Sequence, residues 1–231
     1  MLILAFDCSS PAGSVTLLEG SHVLAWERLD PAKRSANTLA PAIARALLQA
    51  RRQPSEVKLV ATTVGPGSFT GLRVGVTLAK TLAYALKCDL IGLNTLDVMA
   101  AQVYESGLCG ESGIIHAVLD AQRKELFVGR FRVGRNDEGP IQRLDDGQTI
   151  LPADSWLTSL QAGDTVTGSG LARWQDMLPQ DVVVVPDELH APNAVTIGQL
   201  ALREFQAGRR DDLWTLAPLY IRLSYADEKQ K

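Results

Sequence analysis

Hydrophobic positions along this chain come in two textures: short β-branched runs bounded by turn residues, and longer stretches with an apolar residue every three or four positions. Residues 2–7, 14–18 and 22–28 are runs of the first kind, separated by Ser9-Ser10-Pro11-Ala12-Gly13 and Glu19-Gly20-Ser21, and they predict an antiparallel three-strand meander. A helix is predicted over 37–51, with Leu39, Ile43, Leu47 and Leu48 on its apolar face. A strand at Leu59, a helix over 69–86, a short strand at Leu90-Ile91 and a helix over 95–104 complete the order β-β-β-α-β-α-β-α.

The second half starts over in a similar way. Residues 114–120 and 126–133 read as strands around a turn at 121–125, followed by a polar turn at 134–140 and a third strand toward Ile150. Helix and strand then alternate through Leu157, Leu160 and 164–168, the run 182–185 reads as buried, and 193–207 is amphipathic through Val195, Ile197, Leu200, Ala201 and Phe205. Two halves that each open with a meander predict a duplicated α/β unit. The Gly/Ser/Cys-rich link at 106–112 divides it into lobes at 1–108 and 109–231, and the charged residues 227–231 read as a frayed tail.

Between the strand at Leu59 and the helix over 69–86 lies Gly65-Pro66-Gly67-Ser68-Phe69-Thr70-Gly71-Leu72-Arg73-Val74-Gly75. Pro66 removes a backbone donor and fixes φ, Gly65 and Gly67 permit angles barred to other residues, and Ser68 or Thr70 suits a helix N-cap. A strand, a tight glycine turn and a helix N-terminus present free N–H groups and the positive end of a helix dipole, a ready anion site. The motif is not a Walker A loop, because no Gly-Lys-Ser/Thr closes it. Nor is it the dinucleotide fingerprint, because Gly65, Gly67 and Gly71 are spaced one residue too long. A plain strand-to-helix turn fits the spacing as well.

Composition narrows the partners. The 231 residues are 46% hydrophobic and 21% charged, ordinary for a soluble globular protein large enough for a well-buried core. The amino terminus reaches Asp7 with no basic segment, too soon for a signal sequence or a membrane span. Cys8, Cys88 and Cys109 form no CxxC pair, suit a reducing cytosol and read as buried small side chains. The net charge is -3, with residues 1–110 slightly basic and 111–231 acidic, and no basic patch interleaved with aromatics is visible. Another subunit is therefore expected to supply most of any grip on nucleic acid.

Asp7 at a strand end, followed by Ser9-Ser10 and a second strand, has the layout of the first phosphate hairpin of actin-like ATPases; an ordinary hairpin ended by an aspartate fits equally. Asp7, Ser9, Ser10, Gly65, Gly67 and Ser68 form the candidate nucleotide site, weak or vestigial. In the helix over 69–86, Gly71, Gly75, Ala79 and Ala83 recur every four residues as a small-residue stripe that lets a second element approach closely. Glycine in a helix interior costs about 1 kcal/mol against alanine, so Gly75 implies a steric requirement. The chain's own sheet and a partner helix both meet it.

Together, Ile3-Leu4-Ala5-Phe6-Asp7, the run from Gly65 to Gly75, Ile91-Gly92-Leu93-Asn94-Thr95-Leu96, Leu119-Asp120-Ala121 and Pro218-Leu219-Tyr220-Ile221-Arg222 resemble the TsaB (YeaZ) family, in its order and over nearly the whole chain. The resemblance implies an actin-like (ASKHA) fold of two lobes and a non-catalytic scaffold in tRNA threonylcarbamoyladenosine modification. The implied partners are a TsaD-type catalytic subunit and a TsaE-type ATPase, in the cytoplasm, with tRNA met only through the complex. It also tilts the stripe Gly71, Gly75, Ala79 and Ala83 toward a partner interface, and leaves a homodimer open for the isolated chain. The chain departs from the family at Ser35, Gln122, Lys124 and Phe127, where the family has other side chains.

The TsaD paralogue carries a metal on Asn-His-x-Glu-x-His. The matching residues here are Asn94, Thr95, Leu96, Asp97, Val98 and Met99, and threonine and methionine are poor ligands for hard or borderline metals. His22, His116 and His190 lie far apart, and neither a metal dyad nor a nucleophile–base pair is visible, so no metal site, no catalytic residue and no required cofactor are expected. A stand-alone actin-like ATPase or small-molecule phosphotransferase is the competing function. It needs a second phosphate hairpin, where this chain has the bulky Asp120-Ala121-Gln122-Arg123-Lys124-Glu125.

Overall fold

A computed structural model describes residues 1–134, 141–146 and 149–221. The first half folds as predicted into β1 (Leu2–Asp7), β2 (Ser14–Glu19), β3 (His22–Arg28), α1 (Ser35–Gln49), β4 (Val57–Gly65), α2 (Phe69–Leu86), β5 (Asp89–Asn94) and α3 (Thr95–Ser106). The second half contains β6 (Ile114–Asp120), β7 (Glu125–Val133), β8 (Ile141–Arg143), β9 (Ile150–Pro152), α4 (Ala153–Ser159), β10 (Thr165–Thr167), β11 (Val183–Val184) and α5 (Ala194–Gln206).

The strands make two sheets of one plan. In the first, the order is β3-β2-β1-β4-β5, with β1, β2 and β3 antiparallel and β4 and β5 parallel to β1. In the second, the order is β11-β10-β6-β7-β8, where β6 and β7 make the hairpin and β10 and β11 are the parallel additions, and β9 also pairs with β7. Strand β1 reads as an unbroken apolar run because both of its faces are covered. Leu2, Leu4 and Phe6 join a core with α1 and α2, while Ile3 and Ala5 join one with Ile197 and Ala201 of α5.

The last helix of each half packs across the molecule. Helix α3 gives Leu96, Met99, Ala100 and Val103 to the core of the second sheet, and α5 returns to the first sheet. Ser14 Oγ accepts the Ala194 N–H at 2.9 Å, and the buried Gln102 holds Ala191 O and the Asn193 N–H, so the start of α5 is tied to both β2 and α3. The proposed division at 1–108 and 109–231 thus separates the two sheets but not the helices that cover them.

Four local expectations are corrected. Leu48 is 79% exposed, because its neighbour Leu47 already faces the sheet and the next residue on a helix points about 100° away. Within 182–185 only Val182 and Val185 are buried; Val183 and Val184 form an exposed edge strand. The single third strand toward Ile150 is two short ones, β8 and β9. Cys8 is buried, but Cys88 and Cys109 are only half-buried. The core of the predicted turn at 134–140, Arg222 of the closing motif and the tail 227–231 lie outside the described residues.

Candidate functional site

The two segments singled out for phosphate chemistry do come together. Asp7 closes β1 in full burial; its Oδ1 accepts the Ser9 N–H at 3.0 Å and the Thr63 hydroxyl at 2.6 Å. Asp7 Oδ2, Ser9 Oγ, Ser10 Oγ and Thr62 Oγ1 are buried without a hydrogen-bond partner. Burial raises the Asp7 carboxyl above its ordinary value, opposed by the Thr63 hydroxyl and the Ser9 N–H. A carboxylate buried in this way costs stability in its charged form.

The glycine turn lies directly on this hairpin. Gly65 and Gly67 sit at φ 127° and 156°, and a Cβ on Gly67 would stand 2.7 Å from Ser9 O. Ser68 N–H donates to Ser9 O at 2.7 Å, and Ser68 Oγ caps α2 by accepting the Gly71 N–H at 3.3 Å. Two donors expected to face an anion are thus taken by the chain itself. The orphaned oxygen and hydroxyls fit a bound phosphate–cation group on the Asp7 side, but the second hairpin matches it poorly. Its Asp120 accepts the N–H of its own Gln122 at 2.8 Å, and Gln122, Arg123 and Lys124 all take positive φ with full side chains. The first hairpin thus has residue types that a nucleotide cradle needs, and the second does not.

At the positions matching the paralogue's metal ligands, Asn94 caps α3 by accepting the Leu96 N–H at 2.9 Å, and Thr95 and Met99 are fully buried. The Met99 methyl lies 2.8 Å from where a Cβ on Gly168 would stand, so it packs into core space. Asp97 is paired with Arg143, and burial raises its carboxyl. His116 is buried between Asp164 and Trp156, and His190 lies beside Asp187. Among the described residues, no group of three or more His, Cys, Asp or Glu could hold a metal ion.

The small-residue stripe is corrected. Gly71, Gly75, Ala79 and Ala83 are all buried on the inner face of α2, against the chain's own first sheet. A Cβ on Gly71 would stand 1.8 Å from Cys8 O, and one on Gly75 would lie 3.4 Å from Thr62 Oγ1. The stripe exists because α2 crosses closely over β1 and β4, so it is not a free surface.

What α2 offers outward is a different row. Val74, Leu78, Leu82 and Leu86 repeat every four residues and are only partly buried. With Ala40, Ile43, Ala44 and Leu47 of α1, Leu78, Leu82 and Leu86 line an apolar groove of about 180 Å³, continued by a second hollow of about 390 Å³ lined by Val74 with Ala36, Arg73 and Thr77. Sequence reasoning passed over this row because leucine on an amphipathic helix is read as core. Its signal was present: α2 carries two apolar rows, and one sheet can cover only one of them.

A β-meander extended by parallel strands, repeated in a second sheet with the closing helices exchanged, is the actin-like ATPase fold. The chain belongs to the TsaB (YeaZ) family. The family model described as "TsaD: tRNA N6-adenosine threonylcarbamoyltransferase" matches residues 30–145, just over half of it. The chain is 28% identical to the tRNA threonylcarbamoyladenosine biosynthesis protein TsaB of Bacillus subtilis (strain 168), over 99% of this chain and 97% of that one. It is also 28% identical to TsaB of Escherichia coli (strain K12), over 99% and 98%. Among solved structures, YeaZ from Pseudomonas aeruginosa superposes with a TM-score of 0.78 at 25% identity, covering 95% of this chain and 99% of that one.

Proposed function

We propose that this chain is a non-catalytic scaffold in the formation of threonylcarbamoyladenosine on tRNA, and that it docks a TsaD-type catalytic paralogue along the α1–α2 groove. The observation that carries the proposal is the groove itself, walled by a second apolar row on α2 that packs against the core on one side and is only half covered. Apolar surface left open on a folded monomer favours association in proportion to the area removed from water. The relatives' role in tRNA threonylcarbamoyladenosine biosynthesis supplies the pathway. Thr95 and Met99, where the paralogue has its two histidine ligands, support a subunit without transfer activity of its own. A TsaE-type ATPase and tRNA join through the complex, in the cytoplasm. Among the described residues no helix is long and apolar enough to cross a membrane. In a homodimer of the isolated chain, the same groove is the surface that would pair.

The test is Ala44→Arg, which sets a charge at the exposed lip of the groove without touching the core. Titration calorimetry with the TsaD-type subunit of the same source is expected to show at least about tenfold weaker binding, with an unchanged melting temperature. Unchanged affinity sinks the groove as the docking site. A second reading, a stand-alone ATPase or phosphotransferase, draws support from the orphaned Asp7 Oδ2, Ser9 Oγ and Ser10 Oγ. It requires steady ATP turnover by the isolated chain that disappears in Asp7→Ala.

A further inference from the structure

Residues 209–221 form a strap that leaves α5, covers the free edge of β5 and runs along α2 back to the glycine turn. Its first anchor is at the strand edge: the Asp211 N–H donates to Leu90 O at 2.9 Å, Asp211 Oδ2 accepts the Gly92 N–H at 2.7 Å, and Arg209 donates to Gly92 O at 2.6 Å. The second is on α2, where Lys80 Nζ donates to Trp214 O at 3.3 Å and Leu216 O at 2.9 Å. The third is at the turn, where the Leu219 N–H donates to Val64 O at 2.7 Å. The Arg73 Nε–H donates to the Tyr220 hydroxyl at 2.9 Å, with the guanidinium 3.8 Å above the Phe69 ring.

No residue of 209–221 is fully buried, which places the strap among the segments that open before the rest of a fold. Its attachments nevertheless reach the docking groove from behind. Arg73, which holds Tyr220, also lines the outer hollow of that groove. Leu213 and Leu216 of the strap pack on the same core as Leu78, Leu82 and Leu86 of the groove wall. Helix α2 is thus seated between the strap on one flank and whatever occupies the groove on the other.

We infer that the strap is a positioning device for the partner groove: fastened, it fixes Arg73 and the leucine row of α2 in the shape that the partner subunit recognises. This rests on the docking surface proposed above and adds its regulation. Because coupling between two sites is reciprocal, loosening the strap weakens partner binding by the same factor by which partner binding fastens the strap. Lys80 and Tyr220 are positioning residues on this account.

The experiment uses Lys80→Met, which keeps the aliphatic stem and removes both bonds to the strap carbonyls, and Tyr220→Phe, which keeps the ring on Phe69 and removes the acceptor of Arg73. Amide hydrogen exchange of 211–221 and calorimetric affinity for the TsaD-type subunit are measured on the full chain. Exchange of the Leu216 and Leu219 amides is expected to accelerate in both variants while affinity falls by about fivefold or more, and partner binding to the unmodified chain is expected to slow the same amides. A loosened strap with unchanged affinity overturns the coupling and leaves the docking surface standing. Exchange of the strap amides that the bound partner leaves unaltered also overturns it. Failure of the unmodified chain to bind overturns both readings.

Discussion

The two halves of this molecule follow one strand path and differ in what they hang on it. Between β3 and β4 the first half inserts a helix of 15 residues, and between β4 and β5 one of 18. The corresponding connections of the second half are the 7-residue α4 and short 3-10 turns beginning at Ser169. Only the first half can therefore lay two long helices side by side and leave an apolar groove between them. The buried polar groups differ in the same direction. Asp7 of the first half keeps one carboxylate oxygen unpaired, whereas Asp164 of the second accepts from His116 at 3.2 Å and from the Gln161 N–H at 2.9 Å. Among the described residues the second half also buries unpaired atoms, Arg143 Nη2 and His190 Nε2, but on separate segments, whereas Asp7, Ser9 and Ser10 of the first half bring theirs to one hairpin.

The comparison breaks most readily at two glycines. A Cβ on Gly71 would stand 1.8 Å from Cys8 O, and one on Gly168, just after β10, would stand 1.9 Å from Val118 O. Both clashes are with backbone carbonyls, one just after β1 and one inside β6, which cannot swing aside. Gly168 also sits at φ 121°, barred to alanine. Gly71→Ala and Gly168→Ala are each expected to cost more than about 3 kcal/mol, seen as loss of soluble protein or a collapsed melting temperature. If Gly168→Ala alone folds normally, the two crossovers are not equivalent.

These contacts also mark how far the sequence could be read. Element type and order were legible from periodicity, and the run from Gly65 to Gly75 is a strand, turn and helix N-terminus as expected, with Ser68 the cap of the two candidates, Ser68 and Thr70. The direction in which Gly71, Gly75, Ala79 and Ala83 face was not legible, since a stripe of small residues suits any close neighbour. Which neighbour it meets depends on the sheet order, and that is set by contacts far apart in sequence. The pairing of Ser68 with Ser9 depends on the same remote contacts. The strap was visible only as an apolar motif near Tyr220, because its attachments to Lys80, Arg73 and Gly92 lie more than a hundred residues away.

The paired buried cluster of the second half can be tested through His116. Trp156 Nε1–H can only donate, at 3.2 Å to His116 Nδ1, so the ring proton of the neutral histidine is on Nε2 and points to Asp164. Burial pushes His116 below its ordinary value of 6.5, against the pull of Asp164. A lowered histidine contributes stability that is complete above the unfolded value and is lost as pH falls through the folded one. Urea unfolding at pH 8 and pH 5.5 is expected to show the unmodified chain weaker at the lower pH. Trp156→Phe is expected to cost about 1–3 kcal/mol at pH 8, through the lost bond and lost volume. It also frees Nδ1 to take a proton, so its further loss on acidification is smaller. Equal acid losses in the two proteins would mean that the triad does not hold the tautomer.

The smallest expected effect has the opposite sign and tests the open half. Burial raises the Asp7 carboxyl above 3.8, so in the fold the proton is favoured. Such a group contributes stability only below its unfolded value and loses it as pH rises through the folded one, leaving a strained carboxylate at neutral pH. Asp7→Asn keeps an oxygen to accept from Ser9 N–H and Thr63 Oγ1 and removes the charge. At pH 7 the variant is therefore expected to be more stable by about 1 kcal/mol, a gain that shrinks as pH approaches 4. The buried, unpaired hydroxyls of Ser9 and Ser10 follow Asp7 on the same turn and are acceptors of the right kind for the asparagine amide. A melting temperature that falls at pH 7 would mean that the carboxylate is satisfied in solution, and the contrast between the two buried aspartates would lose its basis.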